Sequence, residues 1–169
     1  MSSLPPLGFQ LASNAATASP VGSAPPSGPR ILIPDACVGV KWYVPEPSSQ
    51  AAARLLDPRF SLHVPDYFFT EAASVLQRKV ALEGTLSESD ALDVYRLLRS
   101  VPMTIHATAG LLEDAIRHGV RYRRPVYDSL YLTLAAARGG RVVTADGRLY
   151  RGVQGGPLDH LVLWVSDPL

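Results

Sequence analysis

From residue 31 to the carboxyl terminus, short apolar runs alternate with longer amphipathic stretches. Ile31, Leu32 and Ile33 form an apolar run closed by Pro34 and Asp35, the pattern of a strand buried on both faces. A short helix is expected through Trp42. Ser48 or Ser49 can cap the next helix, in which Ala52, Leu55 and Leu56 recur at helical spacing before Pro58 stops it. A second strand is predicted over 62–64, closed by Pro65. The longest helix is predicted over 67–83, with Phe68, Ala72, Val75 and Leu82 on one side and Gly84 as the stop. Ser87 and Asp90 resemble a capping box for a helix carrying Leu92, Tyr95, Leu97 and Leu98. Residues 103–106 read as a third strand and 111–118 as a helix. Pro125 opens a helix over 126–138 that Gly139 and Gly140 end, 142–144 form a strand delivering Asp146, and 161–165 a final strand.

Strands alternating with helices predict an α/β fold, a mostly parallel central sheet between two helical layers in a three-layer α/β/α arrangement. In such sheets ligands bind beyond the carboxyl ends of the strands, where Asp35 and Asp146 both belong. The head of the chain follows no such pattern. Residues 1–29 carry no acidic or basic side chain, and Pro5, Pro6, Pro20, Pro25, Pro26 and Pro29 interrupt a Ser/Ala/Gly background. Residues 1–30 are therefore expected to be a disordered extension, and residues 31–169 the folded domain.

Composition narrows the function classes. A chain of 169 residues with 47% hydrophobic content suits one core. A net charge of +1 excludes a polycation that binds nucleic acid through its overall field. Cys37 is the single cysteine, which excludes an internal disulfide and a zinc site of several thiolates, and fits a reducing cytoplasm. No basic segment precedes an apolar run at the amino terminus, and no stretch reaches the roughly 20 apolar residues that span a bilayer. A soluble, cytoplasmic protein is expected.

Four carboxylates stand where globular proteins usually avoid charge. Asp35 and Asp146 follow apolar strands, while Glu71 and Asp128 border the apolar sides of helices. Each has an ordinary alternative: a helix N-cap for Asp35, a solvated rim for Glu71, a favourable first-turn charge for Asp128, and an Asp-Gly turn for Asp146. As a set they need a cation, because acids crowded near apolar neighbours repel one another unless a divalent ion neutralises them. Four oxygen donors suit Mg²⁺ or Mn²⁺. His63 and His106 lie in strand-like segments at the core edge and His118 and His160 are expected to be exposed; none has metal-site spacing to another, which disfavours zinc. Cys37 is expected to be a buried structural thiol. Arg117, Arg121, Arg123 and Arg124, with His118 and Tyr122, form a basic cluster that is either a phosphate-contacting surface or a solvated loop.

The segments IPDACVGVKWYVPE from Ile33, PDYFFTEAASVLQRK from Pro65, VYDSLYLTLAAARG from Val126 and VVTADGRLY from Val142 together resemble PIN-domain nucleases, especially VapC toxins of bacterial toxin–antitoxin pairs. The resemblance covers residues 31–169 and implies a PIN-like fold. The family's acidic quartet falls on Asp35, Glu71, Asp128 and Asp146, and Thr144 matches a polar neighbour that orients a ligand or water. It implies a Mg²⁺- or Mn²⁺-dependent endoribonuclease acting on RNA, with transfer RNA and ribosomal RNA loops as frequent targets, a homodimer, and a VapB-like antitoxin as partner. Cys37 departs from the small or hydroxyl residues common at that position. The competing reading is a non-catalytic PIN-like module that binds RNA or protein. A haloacid-dehalogenase-like phosphatase would need a second Asp where Cys37 stands, and no GxGxxG follows the first strand to support a dinucleotide fold.

Overall fold

The computed structural model describes residues 28–169. The extension expected over 1–30 therefore lies, but for its last three residues, outside the described residues. Five strands, β1 (Arg30–Pro34), β2 (Phe60–Pro65), β3 (Thr104–His106), β4 (Arg141–Thr144) and β5 (Val162–Trp164), form one sheet in the order β3-β2-β1-β4-β5, every pair parallel. Parallel pairing demands crossover connections. These are supplied by α1 (Ala36–Lys41), α2 (Ser49–Ala53), α3 (Tyr67–Ala81), α4 (Glu88–Ser100), α5 (Leu112–Tyr122), α6 (Val126–Arg138) and α7 (Gly147–Val153).

Successive side chains of β1 and β4 enter two separate cores, as a doubly covered sheet requires, and β2 contributes to both. Leu32, Leu62, Val143 and Leu163 pack with Val38, Ala52 and Leu55 of α1, α2 and the turn after α2. Ile33, Val64 and Val142 pack with Leu132, Leu134 and Ala135 of α6 and with Phe68 and Ala72 of α3. Full burial of such side chains contributes about 1.5–3 kcal/mol each before entropy is charged against it. The three-layer α/β/α expectation holds.

Close contact between α1 and α3 positions two of the acids. Gly39 has no Cβ because one would lie 2.5 Å from Phe68 Cζ. This approach sets the first turn of α1, with Asp35 before it, beside the face of α3 that carries Glu71.

The predicted 126–138 helix is observed with those bounds, entered from Pro125 and ended by Gly139 at φ 63°. Other expectations need correction. Leu82 is 78% exposed, because it lies beyond the last turn of α3 and no longer follows its stripe. Leu92 and Leu97 are exposed, and α4 turns Ala91, Val94 and Leu98 inward, a 3-and-4 spacing built on a small residue. The helix expected from Ser48 shrinks to α2 plus a 3-10 turn, Arg54–Leu56. Ser48 is left-handed at φ 70°, and the Ser49 hydroxyl is engaged with the Val44 carbonyl and the Glu46 N–H, so neither caps α2 by side chain. The final strand starts one residue later than expected because Leu161 closes a 3-10 turn. His118 is half-buried rather than exposed, its Nδ1 paired with Thr133 Oγ1 at 2.9 Å. His63 and His106 sit at the β2/β3 edge as expected and pair with each other, Nδ1 to Nε2, at 3.0 Å. Helix α7 has no counterpart among the elements predicted from the residue pattern.

Candidate active site

The strand order reverses direction between β1 and β4, which are neighbours in the sheet but distant in sequence. At such a switch point the outgoing connections part and leave a crevice beyond the strand ends. Asp35 follows β1 and Asp146 lies just past β4. Both cap the helix that leaves the sheet: Asp35 Oδ1 accepts from Val38 N at 3.0 Å, and Asp146 Oδ1 accepts from Arg148 N at 2.7 Å. The cap anticipated for Asp35 is present, and the same carboxylate lines the crevice. Glu71 enters from the second turn of α3 and Asp128 from the first turn of α6. All four acids line one cavity of about 500 Å³ with Cys37, Tyr67, Tyr131, Arg78 and Arg148.

Asp35 is the most constrained. It is 6% exposed, and Thr144, fully buried, donates its hydroxyl to Oδ2. Thr144 in turn accepts from Asp146 N at 2.8 Å, joining the two strand ends. The Cys37 thiol donates to Asp35 Oδ1 at 2.8 Å. Cys37 is half-buried on the cavity wall rather than a core thiol. Burial, followed by the charge of Asp35, pushes its pKa far up, so it stays a protonated donor and no nucleophile.

The electrostatics are those of acids short of countercharge. Burial raises the Asp35 pKa; the Cys37, Thr144 and Val38 donors pull it back in part, and Asp146 pushes it up again. Glu71 is raised by burial, eased by a 2.6 Å hydrogen bond from the Tyr131 hydroxyl, and raised further by Asp35, Asp128 and Asp146. Asp128 is raised by burial and Asp146, with Arg124 and Arg148 opposing. This mutual destabilisation of the charged forms fits a bound cation.

Among the described residues, no three His, Cys, Asp or Glu side chains are gathered tightly enough to chelate one ion. That spacing agrees with the chemistry of Mg²⁺, which keeps much of its water and takes one or two carboxylates directly. The donor set is oxygen only, and no histidine lines the cavity.

A family model, that of the PIN domain, matches residues 32–153. The chain belongs to the PIN-domain family. It is 32% identical over 120 residues to Ribonuclease VapC3 of Pyrobaculum aerophilum, covering 70% of this chain and 91% of that one. The fold is similar to that in the crystal structure of PAE2754 from Pyrobaculum aerophilum, which superposes with a TM-score of 0.60 at 18% identity over 80% of this chain and 84% of that one.

The basic cluster divides. Arg117 is exposed and already paired with Asp114 at 2.6 Å and Glu113 at 3.3 Å. Arg121 lies over the Tyr122 ring, 5.4 Å from its centroid, and Arg123 ends α5 in the left-handed region at φ 52°. Arg124 alone reaches the acids electrostatically, opposing the rise at Asp128, and its guanidinium lies so close to Gly152 of α7 that a Cβ there would collide. Sequence reasoning missed Arg78 and Arg148 on the cavity wall and the role of Tyr131. Tyr131 lies three residues after Asp128 and is displayed on the same helical side, a spacing that could have marked it.

Proposed function

We propose that this VapC-type PIN protein is a metal-dependent endoribonuclease, the toxin of a VapBC-type toxin–antitoxin pair, and that Mg²⁺, or Mn²⁺ in its place, is its ion. The reading rests above all on the convergence of Asp35, Glu71, Asp128 and Asp146 on one cavity at the β1/β4 switch point. When bound there, a hard divalent ion supplies Lewis-acid stabilisation of phosphoryl charge and activates water for attack. Asp35, Glu71 and Asp128 are the residues we assign to hold it, one or two of them directly and the rest, with Asp146, through the water the ion retains. Thr144 and Cys37 fix the Asp35 carboxylate, and Tyr131 fixes Glu71. Arg148 and Arg124 offset the charge of Asp128, and with Arg78 on the cavity wall they can contact substrate phosphates; Arg117, Arg121 and Arg123 form an outer basic surface for the rest of the RNA. Attack by water rather than by a ribose hydroxyl leaves a 5′-phosphate and a 3′-hydroxyl.

Transfer RNA or ribosomal RNA is the substrate class we assign, in the cytoplasm, with a VapB-like antitoxin and a second copy of the chain as partners. Within the described residues no helix is long and apolar enough to cross a membrane. A non-catalytic binding module would gain nothing from carboxylates held in mutual repulsion. The test is to sequence cellular RNA ends after brief induction of the wild type beside Asp128→Asn. New 5′-phosphate ends confined to the wild type identify reaction and target together; their absence with folded protein and added Mg²⁺ would defeat the proposal.

A further inference from the structure

At the mouth of the acidic cavity two tyrosines from different helices lie ring on ring. Tyr67 opens α3 and lines the cavity; Tyr127 is the second residue of α6, immediately before Asp128. Their ring centroids are 5.1 Å apart with 14° between planes, an offset stack. Tyr67 is half-buried, whereas Tyr127 is 55% exposed, so the stack runs outward from the cavity wall into solvent. A tyrosine this exposed adds little to a core. Its place in the first turn of α6 fixes it against the acid beside it, and Tyr67 beneath holds the ring at a set angle.

We propose that the Tyr67–Tyr127 stack is a nucleobase platform that receives an unpaired base flanking the scissile phosphodiester. The proposal rests on the ribonuclease reading above. Aromatic faces bind bases of any identity by stacking, and a base inside a duplex already has both faces covered. The platform therefore selects single-stranded or splayed-out nucleotides. Arg148 and Arg78 line the same cavity and offer guanidinium groups to phosphates of the same strand. The arrangement orders one nucleotide as phosphate over the acids and base against Tyr127.

The test uses the full chain and a labelled, unstructured ten-nucleotide RNA, alongside the same RNA with single abasic sites and a matching duplex. Anisotropy in EDTA reads binding, and single-turnover cleavage with Mg²⁺ reads the half-saturating protein concentration. Removing one base stack weakens binding roughly 5- to 150-fold. Tyr127→Ala should show a loss of that order on the single strand, and Tyr127→Trp should retain wild-type affinity. An abasic site near the cleaved bond should weaken the wild type and cost Tyr127→Ala nothing more. Equal affinity of wild type and Tyr127→Ala, or a Tyr127→Ala penalty undiminished on every abasic RNA or equal on duplex, overturns the platform. If the wild type binds with this pattern but never cleaves, the platform stands and the nuclease reading falls. If the wild type neither binds nor cleaves, both fall. Tyr127 is exposed enough that Tyr127→Ala should melt with the wild type, which a thermal scan confirms.

Discussion

Tyr131→Phe isolates one hydrogen bond at the heart of the site. The ring is 2% exposed, so phenylalanine keeps its packing, and the substitution removes only the hydroxyl that donates to Glu71 Oε2 at 2.6 Å. Burial first, and then the charge of Glu71, raise the Tyr131 pKa well above its ordinary value, so the hydroxyl remains a donor throughout the accessible pH range. A hydrogen bond to a charged group contributes about 1.5–3 kcal/mol, and one between neutral groups about 0.5–1.5 kcal/mol. The bond holds Glu71 down against the burial that raises it, so losing it pushes the folded-state pKa of Glu71 higher still. The penalty is therefore largest where Glu71 is ionised and shrinks as pH falls through its folded-state range. Urea melts in EDTA should give a loss of about 1.5–3 kcal/mol at a pH high enough to ionise Glu71, falling to about 0.5–1.5 kcal/mol at a pH low enough to protonate it. The higher-pH loss corresponds to a drop of roughly 3–12 °C in Tm for a domain of this size. With Mg²⁺ present, loosening an outer partner of a ligand costs roughly 10- to 100-fold in activity or metal affinity. A penalty equal at both pH values, or none, with activity unchanged, would mean that Tyr131 only packs.

The same site yields two further expected outcomes. Asp35, Glu71 and Asp128 all have folded-state pKa values raised, chiefly by burial, so the folded metal-free protein binds more protons than the unfolded chain above their ordinary range of 3.8 to 4.5; its stability should fall as pH rises through the raised values. Mg²⁺ or Mn²⁺ at a hundredfold excess over Kd should restore about 2.7 kcal/mol, Asp35→Asn should abolish that gain, and thermal scans indifferent to both ions would contradict the assignment. Gly39→Ala drives a methyl group into Phe68 and should cost about 1–3 kcal/mol in denaturant melts while separating Asp35 from Glu71 and lowering nuclease activity; a variant as stable and active as wild type would show that α1 and α3 can part without consequence.

Much of the sheet was readable because parallel strands buried on both faces leave short, dense apolar runs that little else in the chain imitates. Helix α6 was readable to the residue because Pro125 fixes φ at its start and Gly139 tolerates the left-handed φ that ends it. Where side-chain identity carried less backbone information, the reading slipped. The inward face of α4 depends on Ala91, too small to stand out beside Leu92 and Leu97, and only the partner surface of α3 selects it. Helix α7 opens with Gly147 and is held by the Asp146 cap and by Leu149 and Val153 docking in the core, which are tertiary causes. The His63–His106 pair joins residues 43 apart through the β2/β3 register, which no local pattern encodes.

At Asp35 and Asp146 the helix cap that the structure shows is compatible with the ligand-holding role we propose. A strand that ends in Asp and turns at once into a helix must aim that carboxylate along its axis, because the first free N–H groups of the helix lie there. Capping occupies part of a carboxylate's capacity, roughly four lone-pair sites on two oxygens, and leaves acceptor sites for other donors or an ion. At Asp35 the cap uses Oδ1 while Thr144 orients Oδ2, so the helix start fixes the direction in which remaining lone pairs point. Asp146 repeats this one strand away, its N–H tied through Thr144 to the same carboxylate. The parallel β1/β4 pairing then brings two capped strand ends side by side, and repulsion between them is the consequence of a geometry set by backbone hydrogen bonding. Local sequence could show each cap; only the crossover order could show that the caps face one cavity. The field that favours a cation is thus assembled by the topology from residues that each have a separate structural reason to be where they are.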